Sequence, residues 1–239
     1  MTRQKRMVNV KYKVFCSCLF VPLLFMLITP SVSKASDKQE LVDKALVTFN
    51  HFIADPNMGW VRSNLKYARG VFIVPQKLKG AFIFGASGGS GVLLVKDDKT
   101  GHWTYPSFYT MGSASFGLQI GAKVSEVILL IMTQKGIDAL LSTSFKLGAD
   151  ISVAAGPVGA GAGAKTVDVL AFARSKGLFG GVDVKGAVIV SRDKWNQIYY
   201  GKPARPVDVI IRHNVSNKGA EPLIRRVSEV AGSKTGKTK

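Results

Sequence analysis

The sequence predicts an α+β fold: a strongly twisted, mostly antiparallel sheet of barrel-like form, with N-terminal helices and a C-terminal helix. Three observations predict it. Apolar residues recur at helical spacing only near the two ends of the 239-residue chain. Between those ends lie short runs rich in Val, Ile and Phe, each bounded by Gly, Pro or charged residues, which read as buried strands. Most of the 25 glycines fall between positions 59 and 186, as expected of tight turns and closely packed strands. Strands grouped between terminal helices argue against alternating βαβ units. With 46% hydrophobic and 20% charged residues, the chain has the composition of a single domain with an ordinary core.

Residues 1–35 have the layout of a signal peptide. Arg3, Lys5, Arg6, Lys11 and Lys13 form a basic start, and residues 14–28 an apolar stretch short for a membrane span. Ser33 and Ala35 place small residues before a cut that makes Ser36 the first mature residue. An uncleaved anchor is the alternative. Both cysteines, Cys16 and Cys18, lie in this segment, too early for a lipoprotein site, so the processed chain has neither disulfides nor thiol chemistry. Processing removes six of the 33 Lys and Arg and no acid, which lowers the net charge from +18 to +12. A basic exported protein meets anionic lipid headgroups or acidic envelope polymers rather than nucleic acid.

The single domain is expected over residues 36–232, followed by a basic, disordered tail at 233–239. Ser36 and Gln39 form a capping box ahead of an amphipathic helix over residues 38–54. Asp55 caps a second helix, with Pro56 in its first turn, running to about Ala68. Strands follow at 70–75, 80–85, 91–96 and 127–132, with a turn at Lys77-Leu78-Lys79 and a hairpin turn at Asp97–Gly101. The small-residue stretch 113–124 reads as one closely packed strand. Residues 135–142 form a short helix, and 145–191 hold two or three hairpins. Ser191 caps a helix through Tyr200, and Glu221 to Gly232 is the final helix.

Several patterns tempt a catalytic reading. Gly85-Ala86-Ser87-Gly88-Gly89 matches the G-x-S-x-G of a nucleophile elbow. An elbow leads from strand to helix, but here more glycine and another strand follow, and only His102 and His213 come later. The better reading is a glycine-rich turn, with Gly85, Gly88, Gly89 and Gly91 serving the backbone. Residues 159–166, GAGAGAKT, approach a P-loop but carry Ala164 where the motif needs glycine. Three scattered histidines offer no metal-ligand spacing, and Asp97-Asp98 sits in a turn. Asp150 and Asp183 read as acceptors for backbone amides. The aromatic run HWTYPSFY (102–109) reads mainly as core, with stacking on sugars or lipids as the alternative.

Six segments together carry a family resemblance: ARGVFIVP, FIFGASGGSGVLL, WTYPSFYTMGSASFGLQIGAK, GADISVAAGPVGAGAGA, SKGLFGGVDVKGAVI and YYG. Their order, from Leu41 to Tyr200, resembles SYLF-domain proteins. The resemblance implies a lipid-binding module without enzymatic activity or cofactor. Eukaryotic members bind phosphoinositides and some bundle actin; bacterial members are commonly exported and envelope-associated. Eukaryotic relatives often carry an Arg in the glycine-rich turn, where this chain has Ala86 and Ser87; if that Arg contacts phosphate, this chain lacks the contact.

The expectation is a non-enzymatic periplasmic or envelope-associated domain that binds anionic phospholipid. Its candidate contacts are the densest basic cluster, Arg62, Lys66, Arg69, Lys77 and Lys79, with Leu78 inserted between the last two. A carrier of an acyl ligand inside the sheet, a Ser87 esterase, and a structural protein binding another protein or an acidic glycan are the competing readings. No metal or cofactor is expected.

Overall fold

The protein is described by a computed structural model covering residues 31–81, 84–116, 121–156, 167–175, 178–179 and 184–232. Most of the expected signal segment, the P-loop-like stretch, Asp183 and the C-terminal tail lie outside the described residues.

The fold is α+β, as the sequence predicts. Helix α1 spans Ser31–Ala54 and starts upstream of the expected capping box. Ser36 is therefore inside a helix rather than at its cap. The Gln39 amide instead donates to Asp43 (2.8 Å) and to the Gly219 carbonyl (2.9 Å), while its oxygen accepts from the Tyr199 hydroxyl (3.0 Å). Asp55 caps a single 3-10 turn, Pro56–Met58, by accepting from the Asn57 N–H. Helix α2 follows over Gly59–Leu65 and ends short of Ala68.

The strands are β1 (Gly70–Ala81), β2 (Phe84–Val95), β3 (Ser107–Phe116), β4 (Gly121–Ile131), β5 (Ser144–Lys146), β6 (Val153–Ala155), β7 (Val169–Ser175), β8 (Leu178–Phe179) and β9 (Val188–Ser191). Helix α3 (Gln134–Leu141) stands between β4 and β5, and α4 (Asp193–Tyr200), α5 (Pro206–Ile210) and α6 (Glu221–Val230) follow β9. The strand order is β5-β9-β3-β2-β1-β4-β7-β6, with β8 added to β7. All described pairings are antiparallel except β6 with β7.

That order forces the sheet to curl. Laid flat, its two outermost strands would stand about 34 Å apart, at seven strand spacings. Yet β5 and β6 are joined by residues 147–152 alone, a span of at most about 25 Å even when extended. The connection is folded, too: Asp150 N–H donates to the Lys146 carbonyl (2.9 Å) and Gly148 N–H to that of Ile151 (2.7 Å). The Asp150 carboxylate accepts from the Lys146 N–H (2.6 Å), the amide role its position predicts. The result is a half-barrel with an inner and an outer face.

Both faces are buried along the half of the sheet nearest the helices. Phe72, Val74, Leu93, Tyr109, Met111, Val127, Leu129 and Ile131 point inward, against Ile137 and Leu140 of α3 and Val209 and Ile210 of α5. Val71, Ile73, Val92, Leu94, Phe108, Ile128 and Leu130 point outward, against Phe49 and Phe52 of α1, Val61 and Leu65 of α2, and Leu223 and Val227 of α6. Two buried faces explain why these strands read as continuous apolar runs rather than alternating ones.

Further sequence expectations need correction. Residues 113–124, expected as one strand, are divided between the end of β3 and the start of β4. The stretch Gly85–Gly91 is not a turn: it lies wholly within β2, paired to β3 along its length and to β1 from Gly85 to Ser90. Lys77-Leu78-Lys79 is not a turn either but part of β1. The β1–β2 reversal falls between Ala81 and Phe84, inside the run expected as a strand at 80–85. The physical cause is a bulge. Pairing between β1 and β2 slips between Ile73 and Gln76, which bends β1 and pushes its backbone into the space above β2. A Cβ at Gly89 would sit 2.4 Å from the Gln76 carbonyl oxygen, and one at Gly91 2.3 Å from that of Ile73. Glycine is required there by close approach of a neighbouring strand, not by a turn. Last, Ser191 ends β9 and does not cap α4, whose first turn follows Arg192 without a side-chain cap.

Candidate functional site

Beyond the bulge, β1 to β4 run past the helices and change character. Alternation along the pleat assigns each side chain to a face. On the inner face, Lys77 stands between Ser125 of β4 and Gly89 of β2. One step further, Lys79 is paired to Ser87, and Ser87 to Ser113 of β3. The serines bond in cross-strand pairs: Ser87 Oγ to Ser113 Oγ at 2.7 Å, and Ser125 Oγ to Ser175 Oγ at 2.8 Å. The Ser175 hydroxyl also donates to the Val124 carbonyl at 2.9 Å. A layer of hydroxyls and ammonium groups thus caps the apolar inner core at Val74, Met111 and Val127. Lys77 lies within it at only 7% exposure, its carbon stem along the core.

The outer face of the same strands carries Ala86, Gly88, Gly112 and Ala114, with Leu78 and Val124 directly opposite one another. Among the described residues no helix covers this pair: Leu78 is 55% and Val124 43% exposed. The small-residue shelf continues to β9, where Val188 is also exposed. A shallow groove of about 470 Å³ lies there between Gly112, Ala114, Val188, Val190 and Lys146. One end of the sheet therefore combines a polar, cationic inner layer with an exposed apolar outer surface.

The five cations singled out from the sequence do not form one patch. Arg62, on α2, donates from Nη1 to the carbonyls of Ile53 (2.8 Å) and Asp55 (2.9 Å), closing the C-terminal end of α1. Lys66 lies over the Tyr67 ring, 4.7 Å from its centroid. Arg69 pairs with Asp98 and with the Gln134 side-chain oxygen (3.0 Å), joining the start of β1 to the 97–101 turn and α3. Lys77 and Lys79 alone share a face, at the far end of β1. Leu78 points to the opposite face from them, since neighbouring strand residues alternate, so it is not inserted between their ammonium groups.

Ser87 has no catalytic setting. It sits mid-strand, with its hydroxyl on Ser113 and no helix after it. His102 and His213 lie beyond the other end of β2, about 27 Å further along an extended strand. His213 Nε2 is bound to Asp97 (3.1 Å) and His51 Nδ1 to Glu126 (2.7 Å). The sequence reading missed the hydroxyl pairs, because Ser113, Ser125 and Ser175 come from three separate strands. Their signal was present in the alternation of Ser with small or apolar residues.

Charge elsewhere is used to tie elements together. Arg174 of β7 bridges Asp55 (3.2 Å) and Glu126 (3.0 Å), and Glu126 in turn holds Thr48 and His51 of α1. Asp168 accepts from the Thr133 hydroxyl (2.6 Å) and from the N–H and hydroxyl of Ser152 (2.9 and 2.8 Å). Burial pushes its carboxyl up, but these bonds and nearby Lys135 hold it below the usual range. Asp97 is held low chiefly by the Thr100 N–H.

A curled mixed sheet, packed against helices and ending in a layer of serines and lysines, defines an α+β half-barrel domain. Residues 112–230 match the family model Ysc84, described as a Las17-binding protein actin regulator. The chain is similar to LAS seventeen-binding protein 3 of Saccharomyces cerevisiae, 34% identical over 145 residues, covering 57% of this chain and 31% of that protein. It is similar to Protein YSC84 of the same yeast, 32% identical over 169 residues, covering 67% and 36%. It also resembles human SH3 domain-containing YSC84-like protein 1, 27% identical over 162 residues, covering 65% and 47%. The chain belongs to this Ysc84, or SYLF, family. It spans less than half the length of these relatives.

Proposed function

We propose that the domain is a non-enzymatic, exported binding module that associates with anionic phospholipid headgroups at an envelope membrane, using the far end of β1–β4. The observation that carries this reading is the pairing of two surfaces at one end of the sheet. Lys77 and Lys79 with four serine hydroxyls lie on the inner face; Leu78 and Val124 lie exposed on the outer face. Ammonium groups are donors for phosphate oxygens, and the Ser87–Ser113 pair keeps one hydroxyl proton that is not used within the pair. Exposed aliphatic side chains beside them gain by entering the headgroup boundary. A lysine near an anionic surface contributes about 1 kcal/mol, so binding is weak, reversible and salt-sensitive.

The competing acyl-carrier reading is disfavoured by the inner face itself. The core side chains Phe72, Tyr109, Met111 and Leu129 are fully buried there and fill the space a ligand would take. A protein partner is the second reading. It is favoured by the Las17-binding, actin-regulator description of the family and by the same exposed shelf.

The test is sedimentation of the protein with vesicles of phosphatidylcholine alone and of phosphatidylcholine with phosphatidylglycerol. Binding is expected only to the anionic vesicles, to weaken at high salt, and to fall roughly tenfold or more in Lys79→Glu. Equal binding to both vesicle types overturns the reading.

A further inference from the structure

At the opposite end of the sheet from the lysines, an open cleft of about 640 Å³ lies between the Trp103–Tyr105 segment, the end of α4 and residues 209–216. That volume falls within the range of small-molecule sites. It is lined by the aromatic residues Tyr105, Tyr200 and the largely buried Trp103, by Val209 and Val215, and by the polar residues Thr104, Lys202, His213, Asn214 and Ser216. We propose that this cleft binds one ring of a neutral carbohydrate. The proposal is independent of the lipid reading.

The cleft is preorganised. The Tyr200 hydroxyl donates to the Pro106 carbonyl at 2.6 Å, and its ring packs edge-on against Tyr199 at 5.0 Å. The Thr104 hydroxyl accepts from the Val95 N–H at 3.0 Å, fixing the wall to the end of β2. On the rim, His213 has φ +49°, the one non-glycine residue in the left-handed region among those described. A residue held there points to surroundings that over-determine it, and such positions cluster at ligand sites. What holds it is Asp97, whose carboxylate also takes the Lys99 N–H (2.9 Å), the Thr100 N–H (2.7 Å) and the Thr100 hydroxyl (2.9 Å). When Nε2 donates to Asp97, the neutral ring presents Nδ1 as an acceptor.

The mixture of groups selects the ligand class. A purely apolar ligand would strip water from His213, Asn214 and Ser216 without replacing it. An anion is poorly served: the Lys202 ammonium donates to the Asn214 carbonyl, and Asp97 places a negative charge behind His213. A sugar ring matches both halves, with polarised C–H groups for the aromatic faces and hydroxyls for alternating donors and acceptors. The openness of the cleft suits one ring of a longer chain.

The test is saturation-transfer NMR and tryptophan fluorescence on the full chain, titrated with N,N′-diacetylchitobiose, cellobiose and maltose. At least one should give a saturable signal with Kd on the order of 1 mM. The double variant Asn214→Ala/Ser216→Ala, at two exposed rim positions, should weaken it at least tenfold while leaving thermal unfolding and vesicle binding unchanged. No saturable signal with any of the three, or an unchanged affinity in the double variant, overturns the proposal. Failure here leaves the vesicle result standing, and the reverse holds.

Discussion

Gly91 lies directly against the backbone of Ile73: a Cβ at position 91 would stand 2.3 Å from the Ile73 carbonyl oxygen and 2.8 Å from the Phe72 ring. The contact exists because β1 bulges at this level while β2 runs straight beneath it. Gly88, three residues earlier in the same strand, is different. Its added Cβ would meet only the Met111 carbonyl oxygen, at 3.6 Å.

Two alanine substitutions in one glycine-rich strand should therefore diverge. Gly91→Ala is expected to lose about 1–3 kcal/mol or more, because backbone rather than a flexible side chain must move. Gly88→Ala should change stability by less than about 1 kcal/mol. Urea unfolding of both variants checks this. Equal losses would mean the bulge relaxes freely and does not dictate the glycine.

This pair also shows what could be read from sequence. The apolar runs around Phe72, Leu93 and Leu129 announce buried strands by composition alone, and the amphipathic pattern of α1 announces a helix. The bulge does not announce itself. A glycine kept for a strand passing overhead looks, in one dimension, like a glycine kept for a turn, so the first half of β2 reads as a reversal. The same slip put Lys77 and Lys79 in a turn. Arg62, Lys66 and Arg69 were grouped with them by sequence proximity, whereas the fold spends Arg62 and Arg69 on capping and pairing. The serine pairs and the His213–Asp97 contact join residues 26 to 116 positions apart, which local patterns cannot encode.

Asp168 should contribute to acid sensitivity. Despite burial, its carboxyl is held low by Thr133, Ser152 and Lys135. A carboxyl depressed in the folded state gives stability that is complete above its unfolded pKa of about 4 and is lost as pH falls through the lower folded value. Asp168→Asn should flatten the decline in stability below about pH 4 and lower stability at neutral pH by about 1–3 kcal/mol, since three donors then face an amide. Asp55, Asp97 and Asp208 are also held low, so part of the slope should remain. Chemical unfolding at several pH values reads both effects; an Asp168→Asn curve parallel to wild type would refute the assignment.

Asn196 fastens α4 to the sheet. It is fully buried, and its side-chain oxygen accepts from the Phe108 N–H at 2.9 Å. Asn196→Ala leaves that N–H unsatisfied and opens a small cavity, a loss of about 1–3 kcal/mol. Asn196→Asp keeps the acceptor but introduces a buried charge, so it should be as damaging at neutral pH and recover on acidification. Thermal melts of the two variants at pH 5 and pH 8 distinguish an acceptor role from mere packing.

Arg62 and Lys79 should separate folding from binding. Both belong to the basic residues that crowd positions 62 to 79, yet their surroundings differ. Arg62 closes the end of α1 through the Ile53 and Asp55 carbonyls, so Arg62→Ala should lower stability by about 1–2 kcal/mol. Vesicle binding of the folded variant should stay within about twofold of wild type, because Arg62 lies on α2, which packs on the outer face, away from the inner face that carries Lys79. Lys79→Glu should instead act on binding, weakening it at phosphatidylglycerol vesicles by more than Arg62→Ala does in variants that remain folded. Sedimentation and urea unfolding on the two variants make the comparison complete. If Arg62→Ala also abolished binding while remaining folded, the contact surface would lie around α2 rather than at the far end of β1, and Lys66 with exposed Trp60 and Tyr67 would become its centre.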